Sequence, residues 1–465
     1  MLRFFRINDP YRLLGVFFIL TLFSLPFFID PVSISIQELQ DMVLGEAIHG
    51  KLMYADVYDH TPPVATAIHG MLDSLFGRSL PARHSAAVLL LFFQAAFFAI
   101  LLINNKAYTD SSYIPALIFA VLSLFSVDMV SLSPEILAST ILLLALNNLF
   151  KEIEFTRQHD TFILNLGVYL GLATLLVFAT YVFFLGTLII LILSTRVNPR
   201  RLLLLLFGFV LPHALLFTFY FYKGETGLLW MNFYKSNLIP VRQNFMSLAS
   251  IFILFALPIL YFILSLITIG KDVRLTKYQS QLVQVIFLWL LVGVIYFFLT
   301  PERTPHSLIF TLPPLAFLIS HYFLHIRRRW LAELLLWVFV LGLSAVSLLA
   351  RYGKLENVRY ASLFHATQSL SLMPEQKILI LGEDKSFYLT NRPATGFLNW
   401  ELSKEIFEQP EYFEHDIIIL KAFRKDMPQL IVDKNDLMKN VFKRIPELKA
   451  RYKREGIFYK LLPSN

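Results

Sequence analysis

The chain has 465 residues, of which 56% are hydrophobic and only 16% charged, with 45 Phe and no Cys. A soluble domain gives about a quarter of its residues to charge, so this composition excludes a single water-soluble core and makes lipid the solvent. The net charge of +8 sits in short basic clusters between apolar runs, which reads as topology signals and anionic-lipid contacts and argues against nucleic-acid binding, while the lack of Cys excludes disulfides and thiolate chemistry.

A membrane-spanning helix needs about 20 apolar residues. Spans are predicted near 13–29, 84–104, 111–127, 133–150, 162–178, 180–195, 202–222, 247–269, 282–299, 308–325 and 330–349, about eleven in all. The first runs into Asp30-Pro31 with no small-residue cleavage site, so it is not a cleavable signal. Loop charge sets the orientation. With the N-terminus cytoplasmic, inner segments carry Arg3, Arg6 and Arg12, Lys106, Lys151 and Arg157, Arg196, Arg200 and Arg201, Lys271, Arg274 and Lys277, and Arg327 to Arg329. The alternation requires 162–195 to cross twice, as a tight pair. Outside then lie residues 30–83, 223–246 and everything past about 350. The last part is a small α/β domain, 350–465, following a membrane domain of residues 1–349. In it the apolar runs Lys377–Leu381, Asp416–Leu420 and Leu430–Val432 read as strands, and 400–408 and 435–451 as helices.

The first outer loop carries the chemistry-bearing residues. Ile36, Leu39, Val43 and Ala47 share one face of an amphipathic helix at the membrane surface, with Glu38, Asp41 and Glu46 pointing elsewhere. Pro62-Pro63 opens a second helix, whose buried side is expected to hold Val64, Ile68, Met71, Leu72 and Leu75. Between them Asp56, Asp59 and His60 gather at the mouth of the membrane domain. Capping and solvation account for such carboxylates as readily as chemistry does, and Asp59 is placed to cap the second helix. Asp56, Asp59 and His60 could ligate a divalent cation, but their spacing is no metal signature, so metal use stays open.

The order of short motifs along nearly the whole chain resembles the GT-C superfamily, in particular the lipid A aminoarabinose transferases and the protein O-mannosyltransferases. The resemblance rests on Tyr54-Ala55-Asp56, Asp59, Pro62-Pro63, Leu75-Phe76-Gly77 and Arg83 in the first loop. It continues in Ser133-Pro134-Glu135, in Arg303, His306 and Leu312-Pro313-Pro314, and in the tail at Leu379–Gly382, Tyr388–Pro393, Asp416–Ile419 and Pro428–Val432. Two positions depart from the family pattern. Gln37-Glu38 stands where an Asp-Glu pair is usual, and Thr61 replaces a Lys before Pro-Pro.

The resemblance implies a GT-C-like polytopic α-helical protein of the bacterial inner membrane, with the C-terminal α/β domain outside. It implies inverting transfer of a sugar from a polyprenyl-phosphate donor to a lipid, glycan or protein acceptor at the outer face. Glu38 or Asp56 is then the expected base, with Asp59 positioning the acceptor or a metal. Arg83, Arg303 and His306, at the outer membrane boundary, are expected to steady the departing phosphate, with lipid-headgroup snorkelling as the competing account of Arg83. Lys235 and Arg242 in the second outer loop are weaker candidates. Other classes remain open: a non-catalytic relative acting as an assembly or scaffold subunit, and a flippase for a lipid-linked sugar. The scarcity of charge at span centres argues against an ion-coupled transporter.

Overall fold

The structure, a computed structural model, describes residues 1–29, 34–154, 159–194, 198–240, 242–271, 275–364 and 375–463. Arg157, Arg196, Arg274 and the Asp30-Pro31 step, used above, lie outside the described residues. The chain forms two compact units. The first comprises Met1–Ser33, Ser79–Leu216 and Val241–Phe364, and the second Ile34–Arg78, Phe217–Pro240 and His365–Asn465. Most of the first outer loop and the larger part of the second, through Pro240, therefore belong with the C-terminal segment.

The first unit is helical because its sequence leaves the backbone no other way to satisfy its polar groups in lipid. Among the described residues eight helices are long and apolar enough to cross a membrane: Arg12–Ile29, Leu80–Asn104, Pro134–Ile153, Pro199–Lys223, Leu248–Gly270, Lys277–Leu299, Pro305–His325 and Arg329–Arg351. The expected tight pair at 162–195 is present as two shorter apolar helices, Asp160–Thr174 and Phe178–Ser194. The run at 111–127 differs from expectation. Its helix, Ile114–Leu122, has nine residues, all of them buried, so it spans about 13 Å at 1.5 Å per residue against a hydrocarbon core of about 30 Å. It is apolar on every side because protein surrounds it.

Small residues set one close helix contact. A Cβ at Gly167 would lie 2.3 Å from the Leu205 carbonyl oxygen, and one at Gly208 would lie 2.4 Å from that of Leu164. Helices Asp160–Thr174 and Pro199–Lys223 thus touch backbone to backbone, which lipid-embedded helices achieve only through Gly or comparably small side chains.

The second unit holds a five-stranded sheet in the order Arg392–Pro393, Lys377–Leu381, Leu430–Asp433, Phe458–Leu461, Tyr452–Glu455. Its first three strands are parallel, in register at Ile378 with Leu430, and the last two form an antiparallel hairpin around Gly456, whose φ is +68°. Leu379, Ile431, Phe423, Phe442 and Tyr459 meet in its core. Asp416–Leu420 is not a strand. It lies inside helix Phe413–Lys425, where Ile419 and Phe423 are buried four residues apart and Ile417 is half exposed. The Ile triplet has strand propensity, yet only a helix puts Ile419 and Phe423 on one buried face.

Both helices of the first outer loop form, as Ile36–Ala47 and Pro63–Phe76, but their faces differ from expectation. On Ile36–Ala47 the acids do not all point away from the packed face: Glu38 and Asp41 are buried along with Leu39 and Val43. Gly45 permits this by close contact, since a Cβ there would lie 2.7 Å from the His69 carbonyl oxygen. On the second helix Ala65, Thr66, His69, Gly70 and Leu72 are buried, whereas Met71 and Leu75 are exposed.

Candidate functional site

In the second unit each buried acid of helix Ile36–Ala47 has found a partner. Glu38 closes a capping box: Ser35 Oγ accepts from Glu38 N at 3.1 Å, and Glu38 Oε2 accepts from Ser35 N at 3.3 Å. Asp41 Oδ1 lies 3.3 Å from Nε2 of fully buried His69. Glu46 takes a two-pronged bond from Arg78, through Nε at 2.6 Å and Nη2 at 2.7 Å. Arg78 also donates to the carbonyls of Tyr388 and Asn391.

The following loop is held from several directions. Tyr54, fully buried with φ of +68°, donates from its hydroxyl to the Thr61 carbonyl at 2.7 Å, and its own carbonyl accepts from Asn232 at 2.9 Å. A non-Gly residue in this conformation costs on the order of 1–3 kcal/mol and persists only where its surroundings over-determine it. Tyr58 N–H donates to the Gly396 carbonyl at 2.7 Å, the Tyr58 carbonyl accepts from Asn399 N–H at 3.0 Å, and the Tyr58 ring stacks on Phe397 at 5.2 Å.

Asp56 Oδ2 accepts from Leu52 N–H at 2.8 Å and pairs with Lys425 Nζ at 2.8 Å. Burial pushes the Asp56 carboxyl up, but the Lys425 and Leu52 hydrogen bonds outweigh it and hold the group below the usual carboxylate range. Asp59 receives both Thr61 N–H (2.8 Å) and Thr61 Oγ1–H (2.5 Å) on Oδ1. This is a turn two residues long, so Asp59 orders the approach to the second helix without capping its N-terminus. His60 Nδ1 lies 2.5 Å from Asn399 Nδ2. Asp56, Asp59 and His60 therefore address three different partners. Among the described residues no group of three or more His, Asp or Glu is placed to hold a metal ion. These residues do not fit a metal.

The cationic candidates belong to the first unit. Arg83 is buried in helix Leu80–Asn104. Arg303 sits in a two-residue bridge with Gln243–Asn244, its guanidinium carbon 5.8 Å from the ring centroids of Phe297 and of Phe298. His306, 1% exposed, donates its backbone N–H to Asp128 Oδ2 at 2.9 Å. Both its ring nitrogens lie 3.3 Å from Ser133 Oγ, and Nδ1 lies 4.0 Å from Glu135 Oε2. Asp128 also accepts from Ser126 Oγ, and the Tyr360 hydroxyl lies 2.9 Å from Ser126 Oγ and accepts from Asp128 N–H at 3.2 Å. Burial raises the Asp128 carboxyl above its ordinary value, against the opposing pull of His306. Sequence reasoning picked out Ser133, Glu135 and His306 but missed Asp128 and Tyr360. The available signal was a lone acid at the turn between two apolar runs.

The fold is GT-C-like. The chain is similar to ArnT from Cupriavidus metallidurans in the apo state, with a TM-score of 0.55, 13% identity, and 96% of this chain and 97% of that one covered. It is also similar to the same protein bound to undecaprenyl phosphate, with a TM-score of 0.51, 13% identity, and coverage of 95% and 89%. A third match is the apo oligosaccharyltransferase of Archaeoglobus fulgidus, with a TM-score of 0.51, 12% identity, and coverage of 92% and 70%. No curated protein matches the sequence. Residues 62–355, more than half the chain, match a family whose description is "Family of unknown function (DUF6427)", and the chain belongs to that family.

Proposed function

We propose that this protein is a membrane glycosyltransferase of the GT-C type, moving a sugar from a polyprenyl-phosphate donor to a hydroxyl acceptor on the outer face of the membrane. The observation that carries the reading is the GT-C-like fold running through both units, over at least 92% of the chain in each match. In the reaction the bond from the anomeric carbon to the donor phosphate oxygen breaks and a bond to the acceptor oxygen forms. The acceptor proton passes to a carboxylate, and polyprenyl phosphate leaves carrying the negative charge. Arg83, Arg303 and His306 would stabilise that charge. Among Glu38, Asp56 and Asp59, local geometry favours Asp59 as the base. Glu38 already closes a capping box and Asp56 is an ion-paired, weakly basic carboxylate, whereas both bonds to Asp59 fall on Oδ1. The same commitments of Glu38 and Asp56, with Gln37 and Thr61 in the variant positions, favour the second reading of a GT-C-fold subunit without catalysis.

The test is transfer of radiolabel from a mixed pool of polyprenyl-phosphate sugars to membrane acceptors, by purified protein in nanodiscs. Loss of a base costs about 10²–10⁴-fold, so transfer should fall by that factor in a folded Asp59→Asn variant and less in Glu38→Gln. No transfer from any donor, with donor lipid still bound, supports a flippase or a non-catalytic subunit. Neither transfer nor donor binding removes the proposal altogether.

A further inference from the structure

A cavity lies within the first unit, and nothing in the glycosyltransferase reading uses it. Its volume is about 930 Å³, within the range of small-molecule sites. It opens where helices Leu248–Gly270 and Pro305–His325 end and where Lys277–Leu299 and Arg329–Arg351 begin. The His306 cluster sits at the opposite end of Pro305–His325. The cavity lies at the Lys/Arg-rich end, expected to face the cytoplasm.

Lys271, Arg327 and Arg329 line the cavity, and all three are exposed. Among the described residues none of these three side chains makes an ion pair or hydrogen bond. A fourth cation, Arg6, is paired with Asp110 at 3.1 Å, and Asp110 is the one acid among the described residues of the lining. Deeper in, the His321 ring is buried and stacks on His325 at 4.1 Å. One wall is apolar, formed by Leu324 and by half-exposed Ile267 at the end of a membrane-spanning helix.

Topology signalling explains basic residues that flank spans. It does not require cations from residues 6, 271, 327 and 329 to converge on one cavity. Like charges gathered without counter-ions repel one another, and a bound anion relieves that repulsion. The apolar wall continuous with a lipid-facing helix makes a lipid the fitting carrier of the anion. We propose that this cavity binds the phosphate-bearing headgroup of an anionic membrane lipid. The cations grip the phosphate by charge-assisted hydrogen bonds, and the acyl chains leave past Ile267 into the bilayer. The inference is independent of the proposed transferase activity.

The test uses the full chain in detergent, examined by native mass spectrometry with dioleoyl-phosphatidylglycerol, dioleoyl-phosphatidylcholine and inorganic phosphate as probes. Phosphatidylglycerol should be retained at one per chain, at least tenfold over phosphatidylcholine. Neutralising Lys271, Arg327 and Arg329 together to Gln should weaken retention by about a hundredfold, from roughly fivefold per cation. Thr268→Phe, which sets a ring in the cavity beside Lys271 and keeps every charge, should weaken it at least tenfold. Arg328→Gln changes charge beside the cavity without lining it and should leave retention as it was. Single Cys residues introduced into this Cys-free chain report orientation, and if the triple variant inserts differently, Thr268→Phe decides. Displacement of the lipid by millimolar phosphate supports the same site with a soluble phosphate as its source. Equal retention of both lipids, or retention unchanged by Thr268→Phe, overturns the proposal.

Discussion

Gly396→Ala tests the geometry that fixes the first outer loop within the second unit. A Cβ at position 396 would lie 1.8 Å from the Asp56 carbonyl oxygen and 2.8 Å from its carbon. The obstacle is backbone, so no rotamer change relieves it, and the two segments must separate by roughly an ångström or more to reach van der Waals contact. That separation breaks the Tyr58 N–H bond to Gly396 and the Asn399 N–H bond to Tyr58, and it unstacks Tyr58 from Phe397. At about 1 kcal/mol for each hydrogen bond and about 1 kcal/mol for the ring pair, the docked loop loses about 3 kcal/mol. Hydrogen exchange in nanodiscs should then show the Tyr58 and Asn399 amides exchanging roughly 100-fold faster. Gly227→Ala is the control, because a Cβ there meets nothing within 4 Å, and it should leave exchange unchanged. Unaltered protection at Tyr58 in Gly396→Ala would refute the reasoning, since no tolerated packing leaves a carbon 1.8 Å from a backbone oxygen.

Arg78 offers a second probe, because a planar fork holds Glu46 and two carbonyls at once. Arg78→Ala should destabilise the second unit by about 3 kcal/mol and Arg78→Lys by more than half of that, because an ammonium cannot reproduce the two-pronged bond; melting in nanodiscs distinguishes them. In the first unit, Asp128→Ala should cost about 2 kcal/mol by orphaning the buried His306 N–H, whereas Asp128→Asn keeps an acceptor and should cost less than half as much. For pH, burial pushes Asp56 and Asp426 up, but hydrogen bonds from Lys425 to the first, and from Lys377 and Lys51 to the second, hold both below 3.8. A depressed folded value means their contribution is fully present above 3.8 and is lost as pH falls through the lower folded values. The difference in melting temperature between the parent and an Asp56→Asn/Asp426→Asn double variant should be constant above about pH 5 and shrink below about pH 4.

The membrane helices were legible because lipid demands length and apolarity together, and both can be counted along a chain. Ile114–Leu122 shows where counting fails. A stretch apolar on all sides reads the same whether lipid or protein surrounds it, and only its nine-residue length betrays the second case. The helix Pro63–Phe76 fails for a related reason. Its richest apolar stripe, with Met71 and Leu75, is exposed, while Ala65, Gly70 and His69 pack inward. In such a protein small residues mark the packed face at least as well as large ones. The hairpin Tyr452–Leu461 was missed beside a helix that breaks at Pro446, although Gly456 between two alternating runs announced a turn.

The candidate site was legible as residue types but not as partnerships. Glu38, Asp56 and Asp59 could be picked from the first loop, yet the Ser35, Lys425 and Thr61 atoms that occupy them follow from folding, and in one case from a residue more than three hundred positions away. Those partnerships bear on which class of protein this is. Coupled transporters keep ionisable groups near the bilayer midplane, where protonation or ion binding can drive a change of access. Of the Asp, Glu, Lys, Arg and His residues in the eight long helices, His213 alone lies near a helix middle, and it bonds Thr174 at 2.7 Å. The rest cluster near helix ends, as Glu135 beside His306 and Glu152 beside Arg201 do. Charge concentrated at the two ends of a helical unit suits a protein that handles polar headgroups at membrane surfaces. Such a protein can transfer from a lipid phosphate at one face and hold an anionic lipid at the other, with no need to carry charge through the bilayer.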